Sequence, residues 1–592
     1  MLQSKKFVDL LDAPFGRRGS FFSFANDNNG EDLYGKCNLW LCTTRTQMAS
    51  DFSAPNGFRQ IKFELVHDGK VWPAVIDTTP YEVALRCNFG EVRFTIAERG
   101  LVLAKGTDGL TLRLTTGGSG GGGGVFFALP SGMDQMDDIG SRLVRFGTFK
   151  VLLLPLKGKL VSMGRTFDLT PDANGELLLG FEEWLRDPTR RPTSEYPSYE
   201  QGLANVKADF DDFAARICPK LPAKYEPHRL TSLWQTWNMT VDPDGESDYK
   251  HTMVKMIHCI FEGAFVWQQP MQAVWLSNDI RHAWSVFASS FDQMDQNGRI
   301  VDSLLYRAQP SDGLKPPVHG AALLWLLKNR DLSAIPVEEK LEVWDRLALW
   351  TNYWIKFRDV DKDGVVEFQN IIETGWEDSP AYNVGFPNAS PELNAFLALC
   401  EEALAEFGRS IGKDESVCAE WESKSKALIA KIPQKFWDGE RWFAYNPETG
   451  ARSDSKTVAL YCALILGKRL PQEILDKSIA WMFSDDGLDT PFGIASEAPT
   501  SPYFRHGFTA GSVITPAQFL IVLALEECGR SDLAKKVALG YCDALAKYGY
   551  FHIYNALTGK EDRSLTAFGE RGLFWSAWAS SCFFWFASKY GE

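Results

Sequence analysis

The sequence predicts a multidomain protein of α and β parts, an N-terminal β-sandwich followed by a closed toroid of paired helices. Three observations predict it. Short alternating apolar runs fill the first third, the pattern changes near residue 206 to helical periodicity, and about eleven or twelve helical segments follow through to residue 592. The expected boundaries are 1–184 for the β domain, 185–205 for a Pro-, Arg- and Tyr-rich linker, and 206–592 for the helical domain.

In the first region, Lys36–Thr44, Gln60–Val66, Glu91–Ile96, Leu110–Thr115 and Phe149–Leu154 alternate apolar with polar residues, and turn residues separate them at sandwich spacing. The glycine run Gly117–Gly124 lacks the Lys-Ser/Thr of a phosphate loop and precedes no helix, so it reads as a hairpin loop. Beyond residue 206, apolar residues recur at three and four positions. Ser333–Trp354, Pro391–Leu404 and Pro516–Glu526 each place one apolar face toward a core. Trp325, Trp350 and Trp354 fall within such stretches and read as core.

Composition excludes several classes. The net charge of −14 argues against nucleic acid and anionic membrane as partners. No apolar run reaches the ~18 residues of a membrane span, and Met1–Asp12 carries charges where a signal peptide needs an apolar core. The eleven cysteines are scattered without a CxxC pair and read as buried thiols of a reducing, cytoplasmic compartment. Much of the aromatic load must be core, but as many as 20 tryptophans also suit carbohydrate stacking.

The chemistry centres on Glu373-Thr-Gly-Trp-Glu-Asp-Ser-Pro380. Three carboxylates (Glu373, Glu377, Asp378) flank a Gly-Trp pair where Gly375 and Pro380 interrupt the helical period. A carboxylic acid can protonate a glycosidic oxygen, and an indole face can hold a sugar ring. The competing reading is a plain helix start, with Asp378-Ser379-Pro380 as its cap. Asp359-Val-Asp-Lys-Asp-Gly364 imitates a calcium loop, but Asn370 stands at the twelfth position where such loops carry Glu. It reads first as a solvated acidic turn and second as a structural calcium site on Asp359, Asp361 and Asp363. No cofactor is otherwise expected.

An ordered series of motifs resembles one known group. Trp267-Gln-Gln-Pro270, Asn297–Asp302, Lys315-Pro-Pro-Val-His-Gly320, Glu373–Pro380, Pro391–Ala395, Phe436–Gly439, Phe492–Ser496 and Tyr554–Gly559 resemble, in order, elements of the (α/α)6-barrel glycosidases of the glycoside hydrolase family 63 type. That group includes mannosylglycerate hydrolases and, more distantly, trehalases. The resemblance implies an inverting hydrolysis of an α-linked glycoside or small oligosaccharide. It places the general acid on Glu377, with Asp378 beside it, and a substrate pocket formed by Trp267, Gln268, Gln269, His319, Glu373, Trp376, Tyr554 and Trp575. The chain departs from the family pattern at three positions. The family's general-base Glu is His552, its Trp-Asp is Trp267-Gln268, and its Arg-Gly-x-x-Trp is Ala510–Ile514.

His552 reads either as a proton acceptor or as a hydrogen-bonding pocket residue, with Glu561, Asp562 and Glu570 nearby as other bases. The departures open two further readings. One is a lyase on a uronate-containing glycan, using His552 and Tyr554 with His319, Arg505 or His506. The other is a sugar-binding protein that has lost catalysis.

Overall fold

The computed structural model describes residues 2–26, 38–43, 59–116, 125–127, 139–146, 149–163, 166–184, 188, 190–257, 263–308, 313–561 and 575–592. The Gly117–Gly124 loop lies outside them, as do Asp562 and Glu570.

The alternating runs form two antiparallel sheets of eight strands each. One has Leu39–Thr43, Arg59–His67 and Thr111–Thr116 at its centre; in the other, Phe149–Lys157, Leu177–Trp184, Leu101–Gly106 and Gly90–Glu98 lie side by side. Register puts the apolar residues of each strand on one face, as with Leu112 opposite Leu65 and Leu114 opposite Phe63. The two faces meet through aromatic residues. Phe63 of the first sheet touches Phe94 and Phe181 of the second, with ring centroids 4.8 and 5.6 Å apart.

The stretch expected to be linker contains a helix start. Ser198 accepts a hydrogen bond from Gln201 N and caps Tyr199–Ile217. Gly202 on this helix lies against Ala97, so the helix packs on the strand Gly90–Glu98. Its buried Val206, Phe210 and Phe213 follow helical spacing, which outweighs the proline content just upstream.

The remaining helices are organised as a circuit. Gln268–Trp275 packs on His319–Asn329, which packs on Pro391–Ser410. That helix meets the segment Val458–Arg469, which meets Thr515–Glu527, then Ala577–Tyr590, which returns to Gln268–Trp275. These helices carry few exposed positions. Nearly every residue of Thr515–Glu527 and Ala577–Tyr590 is buried, as expected for helices surrounded on all sides. Longer amphipathic helices lie outside them, such as Val337–Phe357, Glu415–Phe436 and Ser531–Tyr548.

The two halves share one apolar core. Arg18 forms a two-point ion pair with Asp242 (2.8 and 3.1 Å), and Trp234 Nε1 donates to the Pro80 carbonyl (2.9 Å). The nine cysteines among the described residues are free. Among those residues no helix is long and apolar enough to cross a membrane.

Candidate active site

The predicted site residues collect where the circuit's helices begin. Trp267 and Gln268 stand at the start of Gln268–Trp275, and Lys315 lies just ahead of His319–Asn329. Thr509 lies ahead of Thr515–Glu527, and Trp575 just before Ala577–Tyr590. A cavity lined by Trp325, Lys328, Glu406, Arg469 and Glu527 lies at the opposite ends of the same helices, away from these residues.

The acidic segment folds locally in steps. Asn370 Oδ1 accepts from the backbone N–H of Ile372 and Glu373, capping the one-turn helix Ile371–Thr374. Gly375 ends it with φ of 69°, a left-handed conformation that glycine adopts at no steric penalty. A Cβ there would come within 2.8 Å of the Trp267 ring, so glycine is also needed for close approach. Trp376 is fully buried and packs edge-on to Trp267, with centroids 6.1 Å apart.

The three carboxylates have different partners. Glu373 is 1% exposed. Its Oε1 accepts from Arg358 (2.7 Å) and its Oε2 from Gln369 N (2.7 Å). Burial pushes its pKa up, with the backbone donor and Arg358 opposing that shift. Asp378 Oδ1 accepts from both the N–H and the hydroxyl of Thr509 (2.5 and 2.6 Å), and Arg505 reaches its carbonyl at 3.2 Å. Asp378 therefore fastens the segment to the loop 505–509.

Glu377 is held differently. Its Oε1 accepts from Lys315 Nζ at 2.6 Å, and the same ammonium donates to the Ile372 carbonyl at 2.7 Å. The Lys315 side chain is 3% exposed against 36% for that of Glu377. Glu377 Oε2 has no hydrogen-bond partner among the described residues.

Aromatic contacts link the other half of the site. Trp267 meets Trp578 (5.5 Å), Trp578 meets His552 (5.3 Å), and His552 meets Phe508 (5.2 Å), next in sequence to the Thr509 that holds Asp378. The contacts thus close a loop around the mouth through Trp376, Trp267, Trp578, His552, Phe508 and Asp378. His552 is fully enclosed, and burial lowers its pKa to about 3, so the imidazole is neutral. Neither of its nitrogens, nor either amide atom of the buried Gln268, has a partner among the described residues. Buried amides and imidazoles are normally satisfied, so the unpaired polar atoms of Gln268 and His552, linked through Trp267 and Trp578, suit a bound polar ligand.

Other expected site residues are held in the packing around the site, Gln269 and Tyr554 by hydrogen bonds and Trp575 and His319 by ring contacts alone. Gln269 makes three hydrogen bonds, to both backbone groups of Val254 and to the Phe265 carbonyl. Tyr554 donates to the Gly549 carbonyl and packs edge-on to Tyr541. Trp575 packs on Tyr550 at 5.0 Å. His319, expected to line the substrate pocket, opens the helix His319–Asn329 and packs among Phe287, Phe291 and Trp350, with a pKa lowered to about 3 by burial. The preceding Pro316-Pro317 leads into a helix start, where proline is favoured, rather than away from one. The sequence reading missed Lys315, Trp578 and Thr509 as members of the site. Lys315 alone carried a signal, as a cation within the Pro-Pro motif.

The fold and site define a carbohydrate-active helical enzyme, and comparison with known proteins makes that specific. Residues 266–585 match the family model "Mannosylglycerate hydrolase MGH1-like glycoside hydrolase domain". The chain belongs to this family and is a glycoside hydrolase. It is 20% identical over 314 residues to a mannosylglycerate hydrolase of Rubrobacter radiotolerans, covering 42% of this chain and 69% of that protein. It is 22% identical over 190 residues to an uncharacterized protein of Borreliella burgdorferi, spanning 31% of this chain but only 39% of the relative. A solved structure of the GH63 mannosylglycerate hydrolase from Thermus thermophilus with glucose matches at TM-score 0.48 and 16% identity, over 57% of this chain and 96% of that one. The neutral trehalase of Saccharomyces cerevisiae matches at TM-score 0.46 and 14% identity, over 58% and 74%. The family is one of hydrolases, which disfavours the lyase reading; the internal hydrogen bond of Tyr554 also leaves that reading without its second proton carrier.

Proposed function

We propose that the chain hydrolyses an α-linked glycoside or small oligosaccharide, with inversion, at the mouth of an (α/α)6 barrel preceded by a β-sandwich, in the cytoplasm. The six-part circuit of buried helices supports the barrel, and the paired eight-stranded sheets support the sandwich. Glu377 is the proton donor. One observation carries this: Lys315 fixes Oε1, while the buried Oε2 has no partner among the described residues, on the residue next in sequence to Trp376 of the Trp267–Trp376 pair. Oε2 is the atom that delivers the proton to the leaving oxygen, and the buried lysine sets its direction.

Gln268 and His552 bind sugar hydroxyls or the attacking water. With a pKa near 3, His552 is a weak proton acceptor at neutral pH, so it holds the attacking water in place, while a carboxylate, with Glu561 the candidate in the loop that follows, takes the proton that the water gives up. Asp378 is a positioning residue acting through Thr509 and the loop 505–509. Glu373 anchors the segment from within.

The test begins with mannosylglycerate, the substrate in the Rubrobacter relative's name, and extends to a panel of α-glycosides. Product mass in ¹⁸O water should show one solvent oxygen incorporated per bond cleaved, and proton NMR should show the inverted anomer first. Glu377→Gln should abolish turnover with the fold intact. Full turnover by that variant would remove Glu377 from the mechanism. Ligand-induced stabilisation of the parent with no turnover across the panel would favour the sugar-binding reading.

A further inference from the structure

Upstream of the candidate active site, the turn between Val337–Phe357 and Ile371–Thr374 gathers four carboxylates. Asp359, Asp361, Asp363 and Glu367 each present an oxygen to one point, and these oxygens all lie within 4.8 Å of one another. Oxygens bound to a single calcium ion at 2.3–2.6 Å stand at most about 5 Å apart, so the spacing fits that ion.

The deciding member is Glu367, at the loop's ninth position, which the sequence reading did not name as a ligand. Glu367 is 0% exposed, its Oε2 accepts from Val360 N at 2.9 Å, and its buried Oε1 has no partner among the described residues. A fully buried carboxylate oxygen facing three aspartates, without a donor, lacks the partner that buried charge requires. The local cations do not supply it. Lys435 pairs with Asp363 Oδ2 at 2.6 Å, where the Tyr445 hydroxyl also reaches at 3.3 Å. Lys431 and Lys362 are spent on the backbone carbonyls of Asp363 and Asp359.

The backbone is also shaped for an ion. Asp361 Oδ1 and Asp363 Oδ1 accept from the N–H groups of Asp363 and Val365, and Lys362 and Gly364 have positive φ of 60° and 83°. These devices turn the chain back so that alternate side chains converge. Asn370, at the twelfth position, is committed to capping Ile371–Thr374, so Glu367 at the ninth takes the place of the usual final glutamate.

We propose that Asp359, Asp361, Asp363 and Glu367 bind one calcium ion. The site is structural, and it sits at the neck of the catalytic segment. Glu367 N donates to the Arg358 carbonyl at 2.7 Å, and Arg358 pairs with Glu373. The ion thereby fixes both ends of the turn that leads into Glu373–Pro380. Calcium is favoured over magnesium because the donors are mostly protein carboxylates in an irregular arrangement, whereas magnesium demands a regular octahedron and keeps several waters.

The test reads binding and unfolding and needs no substrate, so it stands apart from the hydrolase reading. The full chain is stripped with a chelator and titrated with calcium chloride in a calorimeter, and unfolding midpoints are taken in calcium and in chelator at equal ionic strength. One calcium per chain and a midpoint several degrees higher in calcium are expected. Asp361→Ala, an exposed position whose loss leaves the fold intact, should weaken binding tenfold or more, and Glu367→Gln should abolish it. Absence of binding heat with equal midpoints, equal calcium affinity in parent and Asp361→Ala, or equal affinity for magnesium would each overturn the assignment.

Discussion

Two acid-rich turns lie within twenty residues of each other, and they use their carboxylates in opposite ways. In 359–367 four acids converge on one point, and one of them is buried with an oxygen unpaired. In 373–378 the three acids diverge, one to Arg358, one to Thr509 and one to Lys315. Acidic content is similar in both, yet among the described residues the diverging turn holds its part-exposed carboxylate by one oxygen on a buried lysine, Lys315, and leaves the other, buried oxygen without a partner. Where each oxygen finds its donor, rather than how many acids are present, separates an ion cage from a proton donor.

The sharpest way to break this comparison is Glu377→Gln, which removes the only diverging acid with an oxygen to spare. Loss of a general acid should lower kcat by about 10²–10⁴-fold, and the unfolding midpoint should fall because the buried Lys315 ammonium loses its counter-ion. Steady-state kinetics with denaturant unfolding checks both halves. Next in size is Arg358→Ala, which strands Glu373 as an uncompensated buried carboxylate. The expected loss is about 3–5 kcal/mol of stability, measured by urea unfolding. A change below about 1 kcal/mol would show that Glu373 is not anchored by that pair.

Gly375→Ala should cost about 1–2 kcal/mol, since it places a Cβ at positive φ and against the Trp267 ring. Its effect on kcat should exceed its effect on KM, because the displaced residue next along is the acid's neighbour, Trp376. The last effect is a pH dependence. In the folded chain His552 protonates near pH 3, whereas an unfolded histidine does so near 6.5. As pH falls from 6.5 toward 3, the unfolded state takes up a proton that the native state does not, so stability drops; above 6.5 this contribution is complete and flat. His552→Gln should therefore flatten the decline of the unfolding midpoint between pH 6.5 and 4. His282 and His319, held near the same value by burial, keep part of the slope in the variant.

Much of the scaffold was legible in the sequence because periodicity is a local property. The runs around 60–66, 91–96 and 149–154 are strands, and those at 391–404 and 516–526 are helices, within a few residues. The helix start at Ser198 was hidden by the prolines before it. Site partners were less legible because they are set by tertiary approach. Lys315 reaches Glu377 across 62 positions and Thr509 reaches Asp378 across 131, and no spacing rule connects such residues. His319 shows the converse. A histidine beside two prolines resembles a pocket residue until the packing of Phe287, Phe291 and Trp350 encloses it.

The circuit of helices also dictates an order of assembly. Ala577–Tyr590 lies between the first helix of the circuit and the last but one, and Ser580 and Ser581 meet Thr236 of Arg229–Met239 at 2.9 Å. During synthesis, the β half can collapse while the ribosome is still working, since the strands of its two sheets all lie before residue 185. The catalytic end cannot. It stays open on one side until Ala577–Tyr590 is made, because Trp578 of that helix covers the wall at Trp267.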